Sequence, residues 1–256
     1  MFRHIWKKEI QGELYTWKSM LWLLIASLLF SVTSYLLLTN KELSLLDQTE
    51  LLWLLGKVIV GVGLLIVAVD ASSVITSEFE KETAESLFVS PLRLTDFVVG
   101  KLLAVLTLWA AIYVVSIPYI LVTSAGSHLA LAFLAYVALL GTLGILGFVL
   151  LIFAMSLLFR SSKNTLATAL ILLLGLSIPA VFTSTLKIDI VSQIISKVNP
   201  IDTIFSSLDN VLVDYQLSLT QNWQYILPLI IFCALGFGLL IFSMRHFEKK
   251  GVISNE

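Results

Sequence analysis

The sequence has few charged residues, and this shortage excludes a soluble globular protein. Asp, Glu, Lys and Arg make up 13% of the 256 residues, hydrophobic residues make up 58%, and the mean hydropathy is +0.98. Soluble domains carry about 25% charged residues, so a chain of this composition belongs to the membrane class. The net charge of −1 provides no basic surface for a polyanion, and we therefore expect no nucleic-acid partner.

Cysteine and histidine are also scarce, and several kinds of site are excluded with them. The single cysteine, Cys233, cannot form an internal disulfide and lies in an apolar run, where a small packing residue fits. The three histidines lie far apart and form no H-E-x-x-H pattern, so we expect no metal site. G-x-S-x-G is missing as well, and we expect no catalytic residues.

The sequence also lacks a nucleotide-binding loop. Such a loop needs G-x-x-x-x-G-K-[ST], so that backbone N–H groups and the lysine meet the phosphates. The two Gly-Lys pairs, at residues 56–57 and 100–101, are followed by Val58 and Leu102. We therefore expect no cofactor in this chain and no enzyme activity from it alone, and energy for any work must come from a partner chain or an ion gradient.

Long hydrophobic runs are what the sequence does contain. A membrane-spanning helix needs about 20 mostly apolar residues. Six runs meet this need: 20–39, 51–75, 98–123, 129–159, 164–186 and 224–244. We therefore predict an all-α membrane protein with six transmembrane helices, which form one domain over 20–256 behind an N-terminal helix over 1–19.

Lysine and arginine residues near the span ends indicate the orientation, because they accumulate on the cytoplasmic side of a membrane. If the N-terminus is cytoplasmic, all but four of the 16 basic residues fall on that side. The exceptions are Lys41, Lys57, Lys187 and Lys197. We predict that both termini face the cytoplasm.

Residues 1–19 have the pattern of an amphipathic helix. Apolar residues recur at helical spacing, and basic residues lie mainly on the other face. The apolar residues are Phe2, Trp6, Ile10, Leu14 and Trp17. Tryptophan suits the headgroup region and lysine suits anionic lipid. Both a membrane anchor and an elbow helix packed against cytoplasmic machinery fit this pattern.

The long outer connection, 187–223, carries two apolar stripes separated by Asn199-Pro200. The first is Ile188, Val191, Ile194, Ile195 and Val198, and the second is Ile201, Ile204, Phe205, Leu208 and Leu212. This pattern predicts two short amphipathic helices joined by a proline turn. A place on the membrane surface and a place inside the protein, lining its outer mouth, both fit.

The connection between spans 2 and 3 holds an unusual acidic segment, SEFEKETAESLFVSPL, residues 77–92. Ser77 is suited to cap a helix, and Glu78 and Glu80 fall in the first turn, where negative charge is favoured. Pro91 disfavours helical geometry in the residue before it, so the helix ends at about 90. We predict a stiff cytoplasmic helix, about 77–90, that can transmit a push into the two spans that it joins.

This segment resembles the signature of type-2 ATP-binding-cassette (ABC-2) permeases, the membrane subunits of many ABC exporters. That pattern runs roughly E-x-E-x-G-T-x-E-x-L-x-x-x-P-L, followed shortly by G-K-L. The matching residues are Glu78, Glu80, Thr83, Glu85, Leu87, Pro91, Leu92, Gly100, Lys101 and Leu102. Glu82 stands where the pattern has glycine. The amphipathic N-terminus, the six spans, the Asn-Pro turn in the outer loop and the basic C-terminus are also similar.

The resemblance implies that the acidic helix is a coupling helix, which docks into a groove on a separate ATPase subunit. Two copies of this ATPase, which binds ATP and Mg, would rock two six-span permeases, identical or related, between access states. The implied coupling residues are Glu78, Phe79, Glu80, Thr83, Glu85, Leu87, Phe88 and Pro91. Among them Phe79, Leu87 and Phe88 would form the apolar docking face. The alternative is that the glutamates only solvate a loop.

Polar side chains within the predicted spans are candidates for lining a path. Asp70 and Lys57 lie toward the two ends of the second span, where anchoring or packing is the simpler interpretation. Ser27, Ser31 and Ser34 form a stripe on the first span, which favours close helix packing but also suits a conduit.

Three functions are open from these residues. The first is the permease subunit of an ABC exporter in the plasma membrane of a prokaryote, surrounded by membrane lipid. The second is an ion-gradient-driven secondary transporter that uses Asp70 or Lys57, which predicts internal repeats that the two halves of the chain do not show. The third is a non-transporting membrane scaffold or immunity protein, which gives no reason for the acidic helix.

Overall fold

The computed structural model describes residues 12, 16–39, 48–80, 94–125, 129–182, 199–212 and 222–253. Every regular element within these ranges is an α-helix, which confirms the all-α prediction for this part of the chain. The helices are α1 (Trp17–Thr39), α2 (Gln48–Val74), α3 (Thr76–Glu80), α4 (Leu94–Thr123), α5 (Ala130–Phe159), α6 (Ser162–Phe182), α7 (Pro200–Leu212) and α8 (Trp223–Ile253).

Five helical stretches are long and apolar enough to cross a membrane: α1, α2 together with α3, α4, α5 and α8. Helix α6 adds a shorter apolar stretch, Ser162–Ile178. Several helices extend past their predicted spans, most clearly α4, which begins at Leu94, and α8, which continues to Ile253. Hydropathy marks only the apolar part of a helix, whereas the helix itself continues through polar turns until a cap or a breaker stops it.

The helices run between two ends of one bundle, and side-chain contacts identify each end. At one end, Gln48 Nε2 donates a hydrogen bond to the Ala125 carbonyl across 3.1 Å. At the other end, Glu78 forms an ion pair with Lys101. We call the second the Glu78 end. Helix α2 ends there, α4 begins there, and α6 also begins there, at Ser162, which binds Glu80.

Helices α2 and α5 each carry more buried residues than any other described helix and form the centre of the bundle. Helices α1 and α8 lie at the outside, and their exposed faces are apolar, with Leu24, Leu28, Leu235 and Phe242 among the exposed residues. Lipid tails are as apolar as these side chains, so such faces suit the hydrocarbon region of a membrane.

Trp109 fixes the contact between α2, α4 and α5. Its indole Nε1 donates a hydrogen bond to Thr142 Oγ1 at 3.0 Å, and its ring is buried. A Cβ atom at Gly63 would lie 2.4 Å from this ring, and one at Gly141 would lie 3.0 Å from it. The two glycines are therefore needed because the indole occupies the space that their side chains would take.

Helix α7 is inserted into the bundle. Ile201, Ile204 and Leu208 are buried, and the helix packs against α2, α5, α6 and α8. Asn199 caps it, since Asn199 Oδ1 accepts a hydrogen bond from the Ile201 N–H at 3.0 Å. Of the two places open to the outer helices, α7 takes the one inside the protein. The other predicted outer helix, over 187–198, falls outside the described residues.

Candidate functional site

The acidic segment begins at the C-terminal end of α2, and its first turn is helix α3. The Glu78 N–H donates to the Ile75 carbonyl at 3.2 Å, so α3 follows α2 after a single turn residue. Thr76 is buried, and its hydroxyl donates to the Ser72 carbonyl at 2.6 Å. Helix α3 is thus a continuation of the second span, fastened to it by main-chain and side-chain hydrogen bonds.

Glu78 turns toward α4. Its carboxylate lies 3.3 Å from Lys101 Nζ, and only 8% of the Lys101 side chain is exposed. Lys101 also lies over the ring of Phe97, 5.7 Å from its centroid. The ion pair joins the first acidic residue of the segment to the lysine of the G-K-L string. Both residues belong to the signature, but the sequence pattern does not indicate that they pair.

Glu80 turns toward the start of α6. Its two carboxylate oxygens accept hydrogen bonds from the Ser162 N–H at 2.7 Å and from the Ser162 hydroxyl at 3.0 Å. The Ser162 hydroxyl also lies 2.6 Å from Thr76 Oγ1. A carboxylate at the first turn of a helix is favoured by the helix dipole and by the free N–H groups there. The corner between α5 and α6 is therefore attached to α3.

Phe79 turns toward α8. Its ring lies 5.4 Å from the ring of Phe247, measured between centroids, with an angle of 45° between the planes. The guanidinium carbon of Arg160 lies 4.7 Å from the same Phe247 ring. Aromatic pairs and cation–π contacts of this kind contribute about 0.5–1.5 kcal/mol each. The predicted docking residue Phe79 therefore packs against the last span of its own chain.

The three described members of the predicted coupling set thus contact three different parts of the bundle. Glu78 binds α4, Glu80 binds the α5–α6 corner, and Phe79 packs on α8. The other members, Thr83, Glu85, Leu87, Phe88 and Pro91, lie outside the described residues.

Asp70 lies one to two turns before α3 and is bound to the first turn of α1. Lys18 Nζ lies 2.6 Å from Asp70 Oδ1 and donates to Ser73 Oγ at 3.0 Å. The Asp70 side chain is 1% exposed, whereas that of Lys18 is 48% exposed. Asp70 is thus enclosed within the bundle and paired with a residue of another helix, rather than facing an open path in this structure.

The serines of the first span are not equivalent. Ser27 lies 2.8 Å from the Tyr119 hydroxyl of α4, Ser31 is exposed, and Ser34 is buried. Only Ser27 and Ser34 therefore contribute to helix contacts, and the structure does not gather the three around one conduit.

Lys57 lies beneath α7, far from Asp70. Its Nζ atom is 3.3 Å from the centroid of the Trp53 ring and 5.4 Å from that of Phe205. The Trp53 indole N–H in turn donates to the Phe205 carbonyl at 3.0 Å. Burial raises the pKa of Asp202 on α7, and the nearby Lys57 charge opposes this rise. The lysine therefore helps to hold α7 against α2.

Four residues that the structure brings to this site had no signal in the sequence: Lys18, Arg160, Ser162 and Phe247. A fifth, Lys101, was indicated only as part of the G-K-L string. Within the described ranges no group of three or more His, Cys, Asp or Glu side chains could hold a metal ion.

No curated protein matches the chain. The sequence model of the family described as "ABC-2 family transporter protein" matches residues 38–244, which include the acidic segment, α2 to α7 and most of α8. This match covers well over half of the chain and confirms the resemblance carried by the acidic segment. The chain therefore belongs to the ABC-2 transporter family and is a multi-pass membrane component of a transporter.

Proposed function

We propose that this chain is the permease subunit of an ABC exporter, which moves a substrate across the membrane with energy from a separate ATPase. Family membership supports the class of transporter. The observation that carries the proposal is the attachment of α3. Its three polar and aromatic side chains contact α4, the α5–α6 corner and α8, so a displacement of the acidic segment reaches most of the bundle.

The mechanism follows from this attachment. The partner ATPase, present in two copies, binds ATP and Mg and closes on the acidic segment. Because packed helices move as rigid bodies rather than deforming continuously, a push on the segment shifts α2 and the helices fastened to α3. A second six-span permease, identical or related, supplies the other half of the path. Ser27, Ser31, Ser34 and Asp70 remain the sequence-based candidates for contact with the substrate. Asp70 is enclosed here, so it would reach the substrate only after the helices around it move apart.

The topology that we propose has six spans with both termini in the cytoplasm. Helix α6 counts as a span because it begins beside Glu80 and its Leu176 carbonyl accepts a hydrogen bond from Asn199 Nδ2, at the opposite end. Lys18 of α1 and Phe247 of α8 both lie at the Glu78 end, which agrees with an even number of crossings. This end would face the cytoplasm of a prokaryotic cell, with α7 on the outer side.

We assign the ATPase-docking face to residues after Glu80. Since Glu78, Phe79 and Glu80 already bind the bundle, Thr83, Glu85, Leu87, Phe88 and Pro91 are the members of the predicted set that remain for the partner. Leu87 and Phe88 would supply the apolar contact, and Glu85 would meet a basic group of the ATPase.

Co-purification of the ATPase tests this proposal. Leu87→Asp combined with Phe88→Asp should release an ATPase encoded beside this chain, because two charges would enter an apolar contact. Thr95→Asp serves as the matched control, since Thr95 is exposed in the first turn of α4, and it should retain the ATPase. Retention by the double variant at the wild-type ratio would refute the docking face. If no ATPase accompanies the unmodified chain, the proposed function itself is wrong.

A secondary transporter gains no support from the structure. Its two candidate charges are each engaged within the chain, Asp70 by Lys18 and Lys57 by the Trp53 ring. The same co-purification experiment separates the exporter from a scaffold, which needs no ATPase.

A further inference from the structure

We propose that Phe247 and Arg160 are positioning residues that pass the movement of the acidic segment to the α5–α8 pair. This inference rests on the proposed function. The covalent connections of the segment lead only to α2 and α4. The contacts of α3 add a second route, which runs through side chains to helices far along the chain.

The first step of this route is the ring contact between α3 and α8. Phe79 and Phe247 lie 5.4 Å apart, and Phe247 is 8% exposed although it lies close to the end of the described chain. Phe247 lies at the polar end of α8, where a phenylalanine is buried only if other side chains cover its ring. Here Phe79 and Arg160 are among the residues that cover it. A displacement of α3 therefore presses on α8 directly.

The second step is the close packing of α8 on α5. A Cβ atom at Gly236 would lie 3.1 Å from the Gly147 carbonyl oxygen, so the two backbones nearly touch. The Phe148 and Phe232 rings pack edge to face with centroids 5.2 Å apart. Such interdigitated contacts leave no room for one helix to slide independently of the other. The pair α5–α8 should therefore move as one body.

The third step is the corner at Arg160, which ends α5. Arg160 has a left-handed backbone (φ 52), the only positive φ among the non-glycine residues that the structure describes, and its N–H caps α5 on the Ser156 carbonyl. Its guanidinium lies over Phe247, and Ser162, two residues further along the chain, binds Glu80. This corner therefore meets α3 both through Ser162 and through the shared Phe247 ring.

The backbone of Arg160 makes it possible to remove the contact without weakening the fold. Glycine is the preferred residue for a left-handed helix C-terminus, because it adopts that conformation without the Cβ penalty. Arg160→Gly should therefore keep the corner and lose only the guanidinium above Phe247. Phe247→Ala removes the ring itself, and Phe247→Tyr keeps the ring as a conservative rescue. Phe242→Ala is the matched control, since Phe242 is an exposed aromatic residue of the same helix.

The experiment uses the complex with the co-purified ATPase and a fluorescent reporter far from the site. Gln224, exposed at the opposite end of α8, is replaced by cysteine in a Cys233→Ser background and labelled with bimane. ATP with vanadate should change the bimane fluorescence of the parent complex. Phe247→Ala and Arg160→Gly should lose most of this change while ATPase stoichiometry and ATP hydrolysis persist. Phe247→Tyr and Phe242→Ala should keep it.

Several results would overturn the inference. A full fluorescence response in Phe247→Ala and Arg160→Gly would show that the covalent connections suffice. Loss of the ATPase from either variant would place the residue in docking rather than transmission. A parent complex that hydrolyses ATP with no bimane response would exclude transmission to α8. Absence of any ATPase from the parent preparation would instead refute the proposed function, and this inference with it.

Discussion

Replacing Glu78 by Gln would remove the negative charge that faces the Lys101 ammonium. The two groups lie 3.3 Å apart, and their side chains are 29% and 8% exposed. Breaking a buried ion pair at one partner costs about 3–5 kcal/mol, because the remaining charge stays out of water. Glu78 is partly exposed and Lys101 also lies over Phe97, so we expect the low end, about 3 kcal/mol.

This loss corresponds to a measurable shift in thermal unfolding. For a chain of this size 1 kcal/mol changes Tm by roughly 2–4 °C, so Glu78→Gln should lower Tm by about 6–12 °C. Lys101→Met should cost less, since it leaves a carboxylate that can turn toward water. The double variant should be more stable than Glu78→Gln alone, because no buried charge is left to compensate.

The assay is a double-variant cycle on detergent-purified protein, followed by the melting temperature. Glu248→Gln is the control, because Glu248 is exposed near the same end of the bundle, and we expect it to leave Tm unchanged. If the two single variants each shift Tm no more than this control does, or if their effects simply add, then Glu78 and Lys101 do not interact and the attachment of α3 to α4 is wrong.

Two further predictions concern the bundle and its orientation. Gly63→Ala should destabilise the protein by about 1–3 kcal/mol, since the new methyl group would meet the buried Trp109 ring at 2.4 Å, whereas Gly61→Ala should not, as nothing lies within 4 Å of that position. Melting curves of the two variants compare them directly, and equal curves would contradict the packing. For orientation, cysteine at Asp209, in a cysteine-free background, should react with an impermeant maleimide in intact cells, and cysteine at Lys163 should not; the opposite labelling would reverse the topology.

For much of the site, the sequence predicted the position of the acidic segment but not the contacts of its side chains. The glutamates at 78 and 80 and the proline at 91 mark a helix after the second span, because charge, capping and proline geometry act locally. The neighbours that each face of that helix contacts were harder to predict. Phe79 was expected to meet the ATPase together with Leu87 and Phe88, yet it packs on Phe247. Helical periodicity states which residues share a face, but not which neighbour that face meets.

The same limit applies to the charged residues of the second span. Asp70 and Lys57 stood out from the sequence because charge is costly in a membrane. Their partners could not be read, since Lys18 lies on another helix and the Trp53 ring beneath α7 depends on how that helix inserts. The stripe of Ile201, Ile204 and Leu208 likewise predicted an amphipathic helix, without deciding between the membrane surface and the interior.

The sequence by itself determined the membrane class, the approximate spans and the start of a helix at the acidic segment, because burial in lipid and helix capping depend on runs of neighbouring residues. The tertiary structure alone decided that α3 is held by α4, the α5–α6 corner and α8. These contacts depend on the rotation and depth of each helix, which are set by close approaches such as that of Gly147 and Gly236. Residues far apart in the chain determine those approaches together, and no local pattern records them.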